Sequence, residues 1–331
     1  MQTPTSGRWT RWLILSVILG LFAAPALAQV VDTGDVQSMR VDDVVETMKK
    51  WNLALLGISA VLVIALLFAG GLLKPGGFKE AGLRDIDTMP AIVWIFAAFV
   101  VYLAATSAPS LIIKIQWVQD QDFNQLQMDA INSASYYLFG IIAGFGMLFV
   151  LARSAPECGL KLSFLDIPVG LGCFVLAYPF IGLMSMLGVF IYEQTQQQSI
   201  PNGPAHETLQ QLIDNPNNPW MWAIIAGAVI GAPIVEELVF RVFLQGALIK
   251  WLKTPWLSII LSAIAFAMIH KLGGTVPWYA LPILFAVGMG CGVAYERTKR
   301  VGVPITMHIC FNALNVLLAI TTQPANPVTG V

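Results

Sequence analysis

The chain has 331 residues, of which 57% are hydrophobic and only 11% charged, with a formal net charge of −1 and a mean hydropathy of +0.73. Water-soluble domains carry about 25% charged residues, so the composition excludes an ordinary soluble protein and indicates an integral membrane one. The near-neutral charge gives no basic face for a nucleic-acid partner.

Arg8 and Arg11 precede an apolar run over 12–24, and Ala26-Leu27-Ala28 before Gln29 has the form of a leader cleavage site. Residues 1–28 are therefore expected to be a signal peptide, with an uncleaved anchor as the alternative. Either leaves residues 29–50 as a polar tail on the outer side. Eight runs long enough to cross a bilayer as helices follow, at about 51–73, 91–112, 136–152, 167–192, 220–249, 255–270, 276–295 and 303–322. None alternates as a membrane barrel strand does. The fold class expected is all-α, a polytopic helical bundle ending in a short tail, 323–331.

With the tail outside, the inner loops carry Lys74, Lys79, Arg84, Arg153, Lys161, Lys250, Lys253, Arg297, Lys299 and Arg300. The outer segments carry Arg40, Lys49, Lys50, Lys114 and Lys271, and this ten-to-five bias fits the positive-inside rule. The external loop 193–219 is rich in Gln and Asn and lacks Lys and Arg. Cys158, Cys173, Cys291 and Cys310 show no metal-ligand spacing and read as small apolar residues, not a disulfide framework. Gly140/Gly144, Gly227/Gly231 and Gly288/Gly292 are small-xxx-small pairs of the kind that let helices approach closely.

The fifth span holds the feature that composition does not explain. In Ala232-Pro233-Ile234-Val235-Glu236-Glu237-Leu238-Val239-Phe240-Arg241, three ionisable groups fall within six residues. Each costs roughly 2.5–3.5 kcal/mol at the centre of a membrane helix. Glu237 and Arg241 stand at i,i+4 and can pair along one helix face. Glu236 is turned about 100° away and is free to face a cavity. Pro233 removes a backbone donor and can interrupt the helix there.

Two later spans add His270 and His308, and Asn312 follows His308 at i+4, with Asn315 almost a turn beyond. Taken singly, each reads as hydrogen-bonding glue between helices. Taken together, a carboxylate, two imidazoles and a carboxamide suit peptide hydrolysis without a Ser or Cys nucleophile. A partly desolvated carboxylate can take a proton from water, an imidazole can orient that water or bind a metal, and a His–Asn pair can donate to an oxyanion. His206-Glu207 lacks the second histidine of HExxH. Asp32-Thr33-Gly34 occurs once, and Gly57-Ile58-Ser59-Ala60 lacks the last glycine of a rhomboid-type turn.

Glu236-Glu237-x-x-x-Arg241, Phe266-x-x-x-His270 and His308-x-x-x-Asn312, in that order on separate spans, resemble the motifs of the CPBP family, the CAAX prenyl protease and bacteriocin-processing membrane peptidases, also called the Abi family. The resemblance covers about 232–318. It implies a helical membrane peptidase in which Glu236 activates water, His270 helps to hold it, and His308 with Asn312 stabilises the oxyanion. Glu237, Arg241 and Phe266 would support the site. It also implies a zinc or other divalent ion as an option, held by Glu236, His270 and His308, with an open fourth position. On this reading 220–322 is the catalytic region and 51–219 a four-helix region of unassigned role. The expected setting is a bacterial inner membrane, and the expected partners are the lipid bilayer and a peptide or membrane-protein substrate. Two alternatives use the same pocket: a non-catalytic immunity or scaffold protein, and a proton- or ion-coupled transporter. Drawn on these spans, Glu236 lies at mid-membrane, His308 nearer the inner face and His270 nearer the outer face.

Overall fold

The computed structural model describes residues 41–73, 89–154, 160, 162–197, 207–274 and 276–321. The expected signal peptide, most of the polar tail, the C-terminal tail, Cys158 and His206 lie outside them. Among the described residues there is no strand. Eight long helices form the bundle: α1 (Val41–Ala69), α2 (Ala91–Ile112), α3 (Gln125–Ser154), α4 (Asp166–Gln196), α6 (Trp220–Leu252), α7 (Pro255–Leu272), α8 (Leu281–Thr298) and α9 (Gly302–Thr321), with a short α5 (Glu207–Asp214) before α6. Seven are long and apolar enough to span a bilayer. The apolar part of α1 is the shorter stretch Leu53–Ala69. The chain is therefore a multi-pass integral membrane protein.

One helix begins earlier than its apolar run because polar capping extends it. α3 starts at Gln125, not Tyr136, because the Asn124 side chain accepts from the Gln127 N–H (3.0 Å) while Gln127 Oε1 accepts from the Asn124 N–H (2.9 Å). That reciprocal box satisfies two free donors at the helix start. α1 also begins earlier than its apolar run, at Val41.

α6 runs through the middle of the bundle, with α2 and α3 on one side and α7, α8 and α9 on the other. Trp94, Val101, Val235, Leu238, Val242, Phe243 and Tyr295 form its largest buried cluster. A second cluster joins α4, α8 and α9 around Phe174, Ile181, Val287, Cys291 and Met307. Phe96, Phe99, Ile142 and Phe149 point outward, as lipid-facing side chains do. Cys173, Cys291 and Cys310 are free thiols.

All three glycine pairs lie at helix contacts. A Cβ at Gly140 would meet Val235 at 2.8 Å, and one at Gly144 would meet Leu238 at 2.6 Å, so α3 presses on α6. At Gly227 and Gly231 it would strike Tyr137 at 2.8 and 2.7 Å. At Gly288 it would touch Ala263 at 3.1 Å, and at Gly292 Gln245 Oε1 at 2.8 Å, which seats α8 against α7 and α6.

The two ends of the bundle sort the loops as alternating topology requires. At one end Arg300 pairs with Asp166, and Arg297 Nη2 donates to the carbonyls of Gly71 and Leu72. At the other, Tyr192 stacks near Trp278 and Tyr279, and Phe123 edges Trp117 and Trp220. Aromatic side chains of this kind gather at membrane–water interfaces.

Candidate active site

The 33-residue α6 is not a uniform α-helix. It widens into π turns at Gly227–Gly231 and Leu238–Leu244, with the α-helical segment Ala232–Glu237 between them. In a π turn each N–H reaches back five residues, as the Ala232 N–H does to the Gly227 carbonyl. The next donor in that repeat would be residue 233, which is proline and has no N–H. The Ala228 carbonyl is instead satisfied by Asn312 Nδ2 of α9, at 2.8 Å.

Glu237 faces inward and is fully buried. Its Oε2 accepts from Arg241 Nε at 3.0 Å, and its Oε1 accepts from His308 Nδ1 at 3.0 Å. Arg241, also fully buried, donates from Nη1 to Ser262 Oγ at 3.1 Å, and Ser262 donates to the Phe240 carbonyl at 2.8 Å. α6, α7 and α9 are thus tied by one polar network. One turn beyond, the buried Gln245 donates to Glu296 Oε1 at 2.8 Å and to the Gly292 carbonyl at 3.3 Å. Buried charges in an apolar medium persist when paired and hydrogen-bonded in this way.

Glu236, next in sequence but turned away, is 23% exposed. Its Oε1 lies 3.8 Å from His270 Nε2, and its Oε2 lies 3.8 Å from His308 Nε2. The other nitrogen of each ring is committed to an acceptor-only partner: His308 Nδ1 to Glu237, and His270 Nδ1 to the Phe266 carbonyl at 2.8 Å. Both Nδ1 atoms therefore carry the hydrogen, and in the neutral rings both Nε2 lone pairs face the Glu236 carboxylate.

Phe266 sets this arrangement. Its buried ring meets His270 edge-on at 4.8 Å, His308 at 5.6 Å and Phe240 at 5.4 Å, with the Arg241 guanidinium 5.1 Å from its centroid. The separate depths drawn from the spans do not hold, because both imidazoles pack on one ring and reach the same carboxylate.

Glu236, His270 and His308 converge in the structure, with Glu237, Arg241 and Phe266 behind them. Asn312 is near, but its amide is engaged with the α6 backbone, and Asn315 Nδ2 turns back to the Phe311 carbonyl at 2.9 Å. Ser262, Gln245 and Glu296 are missing from the sequence reading. Gln245 continues the Glu237, Arg241 face at the same four-residue step, which is the signal that would have found it. Ser262 sits in an apolar run with no such signal.

The donor chemistry of Glu236, His270 and His308 suits a divalent ion. However, among the described residues no three His, Cys, Asp or Glu side chains draw close enough to form a ready metal cage. The three acceptors have no hydrogen to share among themselves and suit a bridging donor such as water.

The family described as Type II CAAX prenyl endopeptidase Rce1-like matches residues 218–314. The chain is 32% identical over 96 residues to "Putative membrane peptidase YdiL" of Bacillus subtilis (strain 168), covering 29% of this chain and 36% of that protein. It is 29% identical over 103 residues to "Membrane-embedded CAAX protease MroQ" of Staphylococcus aureus (strain USA300), covering 30% and 39%. The matches thus span little more than a third of these curated relatives. No solved structure matches the chain. The stretch matched by the family begins just before α6 and ends within α9, so the similarity takes in every one of the converging side chains.

Proposed function

We propose that the protein is an intramembrane endopeptidase of a bacterial inner membrane that hydrolyses a peptide or membrane-anchored protein. The observation that carries this reading is the placing of Glu236 at 3.8 Å from both His270 Nε2 and His308 Nε2. A water between them donates one hydrogen to the Glu236 carboxylate and one to His270 Nε2. Glu236 takes its proton as the water oxygen attacks the scissile carbonyl carbon. His308, when it carries a proton on Nε2 as well, donates to the oxyanion, and Glu237 at Nδ1 balances the imidazolium charge. The C–N bond then breaks as Glu236 returns the proton to the leaving nitrogen. The second product is a carboxylic acid, which ionises. Asn312 gives one of its two amide hydrogens to the Ala228 carbonyl and so ties α9 to the α6 backbone beside these groups.

The test compares wild type with Glu236→Ala and His308→Ala, matched for folding, on a quenched-peptide library in detergent, with bound metal measured in parallel. Cleavage by wild type that falls at least ~100-fold in both variants supports the assignment. Equal cleavage by all three would overturn it.

A further inference from the structure

Pro233 and Asn312 solve one problem between them. The π turn at Gly227–Gly231 leaves the Ala228 carbonyl facing residue 233, where proline supplies no hydrogen. A carbonyl left unpaired inside an apolar bundle is costly. Asn312 Nδ2, from a helix 84 residues further along, supplies the missing hydrogen at 2.8 Å. Glu236 lies three residues after Pro233, so the place where the widened turn closes fixes the direction in which Glu236 leaves the helix. The same α9 helix carries His308, one turn before Asn312. One hydrogen bond therefore sets α6 against α9 at the level where Glu236 meets His308.

We infer that Asn312 is a positioning residue coupled to Pro233: its amide takes the place of the backbone donor that proline removes, and so holds Glu236 in register with the histidines. Its catalytic consequence rests on the peptidase reading; its structural consequence does not.

A double-variant cycle on the full-length protein tests this. Asn312→Ala lowers the melting temperature by about 3–5 °C, the size expected when a partly buried carbonyl loses its donor. In Pro233→Ala the new N–H can bond to Ala228, so adding Asn312→Ala there costs less than half as much. On a cleaved peptide, Asn312→Ala lowers kcat with little change in KM, and the double variant recovers at least ~10-fold of the loss. Asn312→Asp, which keeps the size but has no donor when ionised, behaves as Asn312→Ala in the wild-type background. If Asn312→Ala does not fold but the double variant does, the coupling holds. Additive losses in melting temperature would overturn the coupling, and so would failure of both variants to fold. Rescue of stability without rescue of kcat would overturn the positioning role. Absence of any cleavage by wild type would count against the peptidase reading and, with it, the positioning role, while leaving the stability cycle to decide the coupling.

Discussion

Glu237→Gln separates what holds the bundle from what the site does. Glu237 accepts two charge-assisted hydrogen bonds at 3.0 Å, from Arg241 and His308, in a fully buried position. Glutamine has the same shape, but one of its two end groups becomes a donor that faces another donor. Arg241 is then a buried cation with no counter-charge, which costs about 3–5 kcal/mol. The two bonds taken singly, at about 1.5–3 kcal/mol each, give the same range. Adding Arg241→Met removes the orphaned cation, and replacing a whole buried pair with apolar groups is usually neutral. The double variant is therefore expected within about 1–2 kcal/mol of wild type. Its activity should stay at least ~100-fold down, because His308 still lacks the carboxylate that orients it and balances its charge. The assay is unfolding in detergent followed by tryptophan fluorescence, with peptide cleavage on the same samples. A double variant as unstable as Glu237→Gln alone would show that the orphaned Arg241 charge is not what destabilises the single variant.

Two further substitutions test the geometry. The His270 Nδ1 bond stays within its own helix and the side chain is 17% exposed, so His270→Ala should shift stability by no more than about 1–2 kcal/mol while cutting turnover at least ~100-fold; a loss of stability matching the loss of turnover would assign it to the scaffold. Gly188→Ala places a Cβ 2.1 Å from the Tyr279 carbonyl oxygen, whereas Gly146→Ala meets nothing within 4 Å. The first should cost about 1–3 kcal/mol and the second should stabilise α3 by about 0.5–1 kcal/mol, read from the same unfolding curves; equal shifts would refute the close approach of α4 to that turn.

Much of this was legible in one sequence because the bilayer demands long apolar runs. The span read at 91–112 coincides with α2 at both ends. The i,i+4 step from Glu237 to Arg241 gave their pairing, and the 100° step to Glu236 gave its separate direction. The start of α3 was not found, because an Asn124–Gln127 capping box is polar and an apolar window passes over it. Nor was the meeting of His270 with His308 visible as heights along spans. It depends on how helices lean on one another, which glycine contacts and the Phe266 ring decide across elements far apart in the chain. Ser262 stayed hidden for the same reason: its partners, Arg241 and the Phe240 carbonyl, lie 21 and 22 residues away on another helix.

The two widened turns of α6 also change how the helix must be counted. Each inserts one residue into the ordinary repeat, so a helical wheel drawn straight through residues 220–252 slips by about 100° at each of them. The half with Trp222 and Ile230 exposed and the half with Phe243, Gln245 and Ala247 buried belong to different wheels. Relatives that differ here by a single-residue gap would present different side chains to the histidines despite matching motifs. An alignment of this helix therefore has to be judged turn by turn, with Pro233 as the fixed mark.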